Sequence, residues 1–280
     1  MKRRVHGFCS YAVYMEQKMD STEIFLNRLS SSEEIFSELR QKLDSQISDI
    51  TSLESFLTNV KNETDCSLYV SDEKTENNTV ESVISVFERV AESDSPLKVK
   101  IISDEFVNVI DGNDRITDGS KPRSLVHRDG ELHPTVHVWL IRRRDMGIYV
   151  LLQKRSHNKD IYPDMWDVSS AGHVRQGQEY GMTAIRETRE ELGLEIAREK
   201  LEFLGFRRNS HTEDNIKDNE LTAVFMCRED IDDSMINPNP SEVSETGWAE
   251  IDELLTVMND GDFPCCISAE EFEMIKKAVF

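Results

Sequence analysis

Glu187, Glu190 and Glu191 stand at i, i+3 and i+4 in the stretch AGHVRQGQEYGMTAIRETREELGLEI, which runs from Ala171 to Ile196 and carries glycines at Gly172 and Gly193. At about 100° of rotation per residue, these spacings set three carboxylates on one side of a single helix. Carboxylates packed so closely repel one another, and Arg186 and Arg189 reach them only from the flanks. A hard divalent cation, Mg²⁺ or Mn²⁺, relieves that repulsion by taking oxygen ligands while it shares a phosphate of a bound substrate. The stripe Ile185, Thr188 and Leu192 follows the same period on the opposite side and is expected to face a core. A merely solvated acidic helix face is the alternative, and only the wider spacing separates the two.

That wider spacing is a glycine, an acidic slot six residues on, and then Arg-Glu-x-x-Glu-Glu-x-Gly-aliphatic. Gly172, Arg186, Glu187, Glu190, Glu191, Gly193 and Leu194 carry it here. In this the chain resembles the Nudix hydrolases. Gln178 occupies the slot of the first glutamate, with Glu179 beside it, and Thr188 replaces an aliphatic residue. The first departure removes one outer carboxylate and leaves the trio; the second removes some apolar packing. The resemblance implies an α/β/α sandwich with a mixed β-sheet, and hydrolysis of a diphosphate linkage aided by Mg²⁺ or Mn²⁺. It also implies that Glu187, Glu190 and Glu191 are the metal ligands, with Arg186 pinning a box carboxylate by a charge-assisted bond.

The segments VHRDGELHPTVHVWL, LLQKRSHNKDIYPDMWDVSSAGHV, NELTAVF and ETGWAEIDELL extend the resemblance, from Ile101 to Leu255, to the branch of the family that holds isopentenyl diphosphate isomerase and its hydrolase cousins. It implies a second metal among His127, His133, His173, Asp218 and Glu220, all of types that bind Mn²⁺ or Mg²⁺. Ordinary buried histidines with backbone partners are the alternative for His133 and His173. Arg123, Arg155 and Lys159 match basic residues that the resemblance assigns to the diphosphate, and Glu220 is the candidate for a further ligand or a base. Two departures bear on the chemistry. The isomerase carries a cysteine just before the Gly-His pair to exchange a proton on carbon, where this chain has Ala171; and the isomerase branch loses box glutamates that are present here. The expected function is hydrolysis of a nucleoside diphosphate derivative or a related organic diphosphate. The alternatives are isomerase-like or prenyl diphosphate hydrolase activity, and a non-catalytic diphosphate-binding module. Tyr162, Trp166 and Trp139 are candidates to stack on a base or line an isoprenoid pocket.

The elements that must position these residues are short and alternating. TVHVWLI, IYVLLQ, WDVSSA, LEFLGF and LTAVFMC read as strands, and helices are expected at 252–258 and from Ser268, where Ser268 and Glu271 make a capping box. Upstream, KVKIISDEFVNVIDGNDR alternates like strands joined by an Asp-Gly turn, so the catalytic domain is expected over residues 98–280. Residues 1–97 read as a helical extension. Phe25, Leu29, Phe36, Leu39, Leu43, Ile50, Leu53, Leu57 and Val60 form a heptad seam, interrupted at Ser32 and Gln46, that fits either self-association in a coiled coil or a helix of a small bundle. A short amphipathic helix follows through Val83, Val86, Phe87 and Val90.

A net charge of -21 over 280 residues argues against a nucleic-acid-binding surface, which needs clustered lysine and arginine. An anionic small-molecule substrate must therefore meet local positive charge inside an acidic molecule. Five cysteines without CxxC spacing point to neither a disulfide framework nor a zinc site. No apolar run of membrane-spanning length occurs, so no membrane partner is expected. The basic start MKRRVHGFCSYAVYM lacks a cleavage signal, and the expected location is the cytoplasm.

Overall fold

The computed structural model describes residues 22–26, 31–43, 46–60, 66–70, 78–92, 98–101, 105–144, 147–159, 161–213, 216–260 and 263–280. The chain divides into two compact units, Met1–Phe106 and Val107–Phe280. Among the described residues no helix is long and apolar enough to cross a membrane.

In the first unit, strands β1 (Thr22–Leu26), β2 (Cys66–Val70) and β3 (Lys98–Ile101) pair in that order, all parallel. Helices α1 (Ser32–Lys42), α2 (Ile50–Val60) and α3 (Asn78–Ala91) connect them. The seam residues Leu39, Leu43, Leu53 and Leu57 are buried in this unit's own core with Ile24, Leu26, Leu68 and the α3 residues Val83, Val86 and Phe87. The expectation of one long helical seam is corrected in two places. Phe25 lies on a strand, since a buried parallel strand carries no clean alternation to betray it. The seam also breaks before α2, where Asp49 accepts the Ser52 N–H at 2.8 Å and starts a new helix. Leu29 lies outside the described residues. The helices are thus joined by a parallel sheet that the periodicity did not show, and KVKI belongs to that sheet rather than to the strands after it.

The second unit begins with the strand pair β4 (Phe106–Ile110) and β5 (Ile116–Pro122) and a short helix α4 (Arg123–Asp129). Its main sheet is built from β6 (His133–Arg144), β7 (Gly147–Arg155), β10 (Leu201–Glu213), β11 (Ile216–Cys227) and β12 (Val243–Glu250), in the order β10-β11-β6-β7-β12. Two short strands, β8 (Trp166–Asp167) and β9 (Ser170–His173), add to β7 and β6. The β11–β6 pairing is parallel and the others are antiparallel. Alternation along β6 feeds two cores. Val136, Val138 and Leu140 pack on one face with Ala184 and Leu192 of helix α5 (Tyr180–Leu192). Trp139 and Ile141 pack on the other with Ile251 and Leu254 of α6 (Ile251–Asp260) and Phe272 and Ile275 of α7 (Ala269–Val279). A mixed sheet covered by helices on both faces is an α/β/α sandwich.

Candidate functional site

The acidic helix α5 ends where Gly193 turns left-handed at φ 70° and its N–H closes on Arg189 O. A side chain at 193 would also meet Asn237 O at 2.9 Å. Thr188 is fully buried and donates to Ala184 O at 2.8 Å, so its hydroxyl is satisfied within the helix. Leu192 is fully buried, whereas Ile185 is only partly so.

Arg186 organises the surroundings. Its guanidinium donates to Gln178 Oε1 at 3.1 Å, Glu190 Oε2 at 2.9 Å and His173 O at 3.0 Å, and it pairs with Glu187 Oε1 at 2.7 Å. Gln178 is therefore a neutral acceptor for Arg186, with Thr183 as a second donor to it. Glu187 is buried against Gly172: a Cβ there would fall 2.1 Å from the Glu187 carboxyl carbon, so only glycine lets β9 approach the helix this closely. Glu191 is also buried and accepts from Ser170 Oγ at 2.7 Å, Ala171 N at 3.0 Å and Gln153 Nε2 at 3.2 Å. Burial raises its pKa against the opposing pull of Lys159 and these three donors. Glu190 is 40% exposed, between Arg186 and Arg175. The helix thus presents three carboxylates, two of which, Glu187 and Glu190, share Arg186 while Glu191 has partners of its own.

The histidines behave differently. His127 comes from α4, His133 opens β6, His173 ends β9, and Asp218 and Glu220 lie on β11. Strand pairing gathers them, since Glu220 is in register with His133 and His173 with Thr135. The three imidazole centroids lie 5.1, 5.4 and 5.2 Å apart. His133 Nδ1 is 2.9 Å from the Glu131 carbonyl, which can only accept; Nδ1 therefore carries the proton and Nε2 a bare lone pair. Nε2 of all three histidines and Oδ1 of Asp218 are buried without a hydrogen-bond partner. Asp218 Oδ1 lies 3.8 Å from His127 Nε2 and 3.5 Å from His133 Nε2, long for hydrogen bonds.

Electrostatics favours the neutral, ligand form of the histidines and works against the ligand form of Asp218. Burial, then Arg123 and His133, lowers the His127 pKa to about 3. Burial also lowers those of His133 and His173, the former against the Glu131 carbonyl and Asp218. Burial and the nearby Glu220 push Asp218 up to about 6. Two sets, His127/His133/His173 and His133/Asp218/Glu220, bring one ligand atom per residue within 4.8 Å of one another. Buried lone pairs without donors are what a cation satisfies, so these residues fit a divalent metal.

The basic residues divide. Arg123 lies close enough to the three histidines to lower their pKa values, and Lys159 acts on both Glu191 and His173. Lys159 also pairs with Glu242. Arg155 is committed to Asp167 Oδ2 at 2.8 Å and Ile161 O at 3.1 Å. Among the aromatics, Trp139 is fully buried in the core and Trp166 stacks on Phe263. Tyr162 instead adopts φ 52°, rare for so bulky a residue, with its ring centroid 4.7 Å from that of His211.

Sequence reading passed over a second polar group on the sheet. Glu271 is fully buried and accepts from Trp139 Nε1 at 2.8 Å and Arg207 Nε at 3.1 Å, with His137 Nδ1 2.9 Å from both its oxygens. Only half of the expected capping box forms: Ser268 Oγ accepts the Glu271 N–H at 3.1 Å, while the Glu271 carboxylate turns into the core. The period-2 placement of His137 between His133 and Trp139 on one face of β6 was the available signal.

A sandwich of this topology with a Gly-x-x-x-x-x-Gln, Arg-Glu-x-x-Glu-Glu-x-Gly helix at its sheet is the architecture of the Nudix domain, and the NUDIX domain model matches residues 131–265. The chain belongs to the Nudix family, and its enzyme class is that of the Nudix hydrolases. An uncharacterized Nudix hydrolase of Clostridium acetobutylicum is 31% identical over 160 residues, 57% of this chain and 76% of that protein. Nudix hydrolase 3 of Arabidopsis thaliana is 34% identical over 143 residues, 50% of this chain; the match spans only 18% of that protein's length. An isopentenyl-diphosphate Delta-isomerase of Paenarthrobacter aurescens is 33% identical over 131 residues, 46% of this chain and 68% of that protein.

Proposed function

We propose that the C-terminal unit, Val107–Phe280, hydrolyses the diphosphate linkage of a nucleoside diphosphate derivative or related organic diphosphate with the help of Mg²⁺ or Mn²⁺. The observation that carries this reading is the pairing of an intact acidic helix with Ala171, which has no proton to exchange, beside a histidine–carboxylate cluster suited to a cation. His127, His133, His173, Asp218 and Glu220 would hold one ion, and Glu187, Glu190 and Glu191 others. A divalent ion in such a place supplies charge neutralisation at phosphoryl oxygens and a bound water of lowered pKa. Arg186 acts as a positioning residue, because its four contacts fix the aim of Glu187 and Glu190. Arg123 and Lys159 receive the phosphates, with Arg155 holding the strand behind them through Asp167. Glu220, whose pKa burial raises against His137 and Arg207, serves either as the fifth ligand of that ion or as the proton acceptor. The reading places the protein in the cytoplasm, in keeping with unpaired thiols at Cys227, Cys265 and Cys266.

Incubation with Mg²⁺ or Mn²⁺ and a panel of ADP-ribose, NADH, other nucleoside diphosphates and isopentenyl diphosphate tests it. Release of nucleotide or phosphate supports hydrolysis. An allylic product would establish isomerase chemistry instead, and saturable binding without conversion would mark a ligand-binding module.

A further inference from the structure

On β6 the side chains of His133, Thr135, His137 and Trp139 share one face. His133 closes the histidine cluster, and His137, two pleats further on, is in register with Ala171 of β9. Its Nδ1 is fixed by both oxygens of Glu271, at 2.9 Å each, and Glu271 is itself fixed by Trp139 and Arg207. A ring anchored through Nδ1 points Nε2 the opposite way. The His137 side chain retains 15% exposure while Glu271 retains 1%, so it is at His137, and not at Glu271, that this group meets its surroundings. The fixed geometry is that of a carboxylate holding an imidazole in one orientation, which leaves the second ring nitrogen to act elsewhere.

Stability alone does not require the histidine. Arg207 and Trp139 already supply Glu271 with two donors and one compensating charge, and a second cation must be desolvated in addition. The neighbouring groups also bear on what can lie there. Thr135, Thr222, Glu220 and Arg207 flank the same stretch of sheet, and Ala171 adds only a methyl group. Thr135 and Thr222 are buried and bonded to each other and Arg207 is buried on Glu271, so the polar surface that a hydrocarbon chain would desolvate here without replacing a hydrogen bond is that of His137 and the half-buried Glu220.

We propose that His137, held by Glu271 of the C-terminal helix, donates its Nε2–H to an oxygen or nitrogen acceptor on the organic half of the substrate, and so selects a polar moiety over a prenyl chain. The inference rests on the hydrolase reading only for where the diphosphate lies, and not for its cleavage. Burial opposes the imidazolium, yet Glu271, by its charge and its hydrogen bond, together with the charges of Asp167 and Glu220, outweighs burial and raises the His137 pKa to about 9, so both ring nitrogens carry protons near neutrality.

The test measures binding as well as turnover. Calorimetric titration with ADP-ribose, isopentenyl diphosphate and inorganic pyrophosphate, in Mg²⁺, is run on the wild-type chain, His137→Phe and Glu271→Gln, each with a thermal melt. Wild type is expected to bind ADP-ribose more tightly than isopentenyl diphosphate. His137→Phe should lose roughly tenfold or more in affinity for ADP-ribose, the size of one charge-assisted hydrogen bond, with much less change for pyrophosphate. Glu271→Gln keeps an acceptor for Nδ1–H but removes the charge that holds the second ring proton, so it should lose the Nε2–H donor and, with it, most of the selectivity. Wherever turnover occurs, the loss should appear in KM more than in kcat. An equal loss for all three ligands, no loss in a folded His137→Phe, or a wild-type preference for isopentenyl diphosphate overturns the proposal. If His137→Phe does not fold, the wild-type preference and Glu271→Gln still decide. Absence of hydrolysis with the binding preference intact would overturn the hydrolase reading and leave this one standing.

Discussion

The acidic helix and the histidine cluster reach a similar end by opposite routes. On the helix, Glu190 and Glu191 have protein partners, and Glu187 is paired with Arg186. In the cluster, three imidazole nitrogens and one carboxylate oxygen are buried with no hydrogen-bond partner. On the proposed reading the helix, whose carboxylates already have partners, must exchange contacts to take up an ion, whereas the cluster would give up no hydrogen bonds at those atoms. A dense run of acids is conspicuous in sequence, but unsatisfied burial is the stronger physical reason to expect a cation.

The largest expected effect tests whether both regions serve turnover. Glu187→Gln and Glu191→Gln should each lower kcat by orders of magnitude with little change in melting temperature, read in the assay that finds the substrate. Wild-type turnover in either would remove the helix from the mechanism. For the cluster, His133→Ala should abolish the tighter phase of Mn²⁺ uptake in equilibrium dialysis, while Glu187→Gln leaves that phase in place. Loss in the reverse pattern would invert the comparison.

Next in size is Gly172→Ala. Its methyl would lie 2.1 Å from the Glu187 carboxyl group, a distance no side-chain adjustment of Ala can relieve. Overpacking of this kind costs about 1–3 kcal/mol, to be read from denaturant unfolding, and activity should fall with it. An unaffected variant would mean that the Glu187 side chain, or β9 itself, moves aside easily.

A pH experiment is finer. The folded state holds His127 at about 3, below its unfolded value of 6.5, so the unfolded chain binds more protons between those limits. Stability from this group is complete above about pH 6.5 and declines as pH falls toward 3. Metal-free protein should therefore melt lower at about pH 5 than at about pH 7.5, and Mn²⁺ should raise the melting temperature more at the higher pH. Equal stabilisation at both would show that the ion is not bound through neutral imidazoles. The smallest effect is expected from Glu190→Gln, since this carboxylate is 40% exposed and an amide can still accept from Arg186. A loss as large as that of Glu187→Gln would place Glu190 among the essential ligands.

The acidic helix was legible because its spacing is local: a period of 3.6 relates Glu187 to Glu191, and Gly193 marks the end. The strands of the second unit were legible by alternation, as in TVHVWLI. The first unit was harder, because Ile24 and Leu26 lie on a buried strand whose apolar run imitates a helical seam. Tyr162 separated itself from the two tryptophans only once Trp139 was seen in the core and Trp166 against Phe263.

From the chain alone came the α/β/α class, the family resemblance, the acidic helix and the missing carbon acid at Ala171. Folding alone decided which polar groups share a partner. His137 and Glu271 meet across 134 positions, and His127, His133, His173 and Asp218 converge from four elements. Periodicity relates residues a few positions apart, whereas the satisfaction of a buried donor or acceptor depends on whichever distant segment the sheet pairing brings beside it.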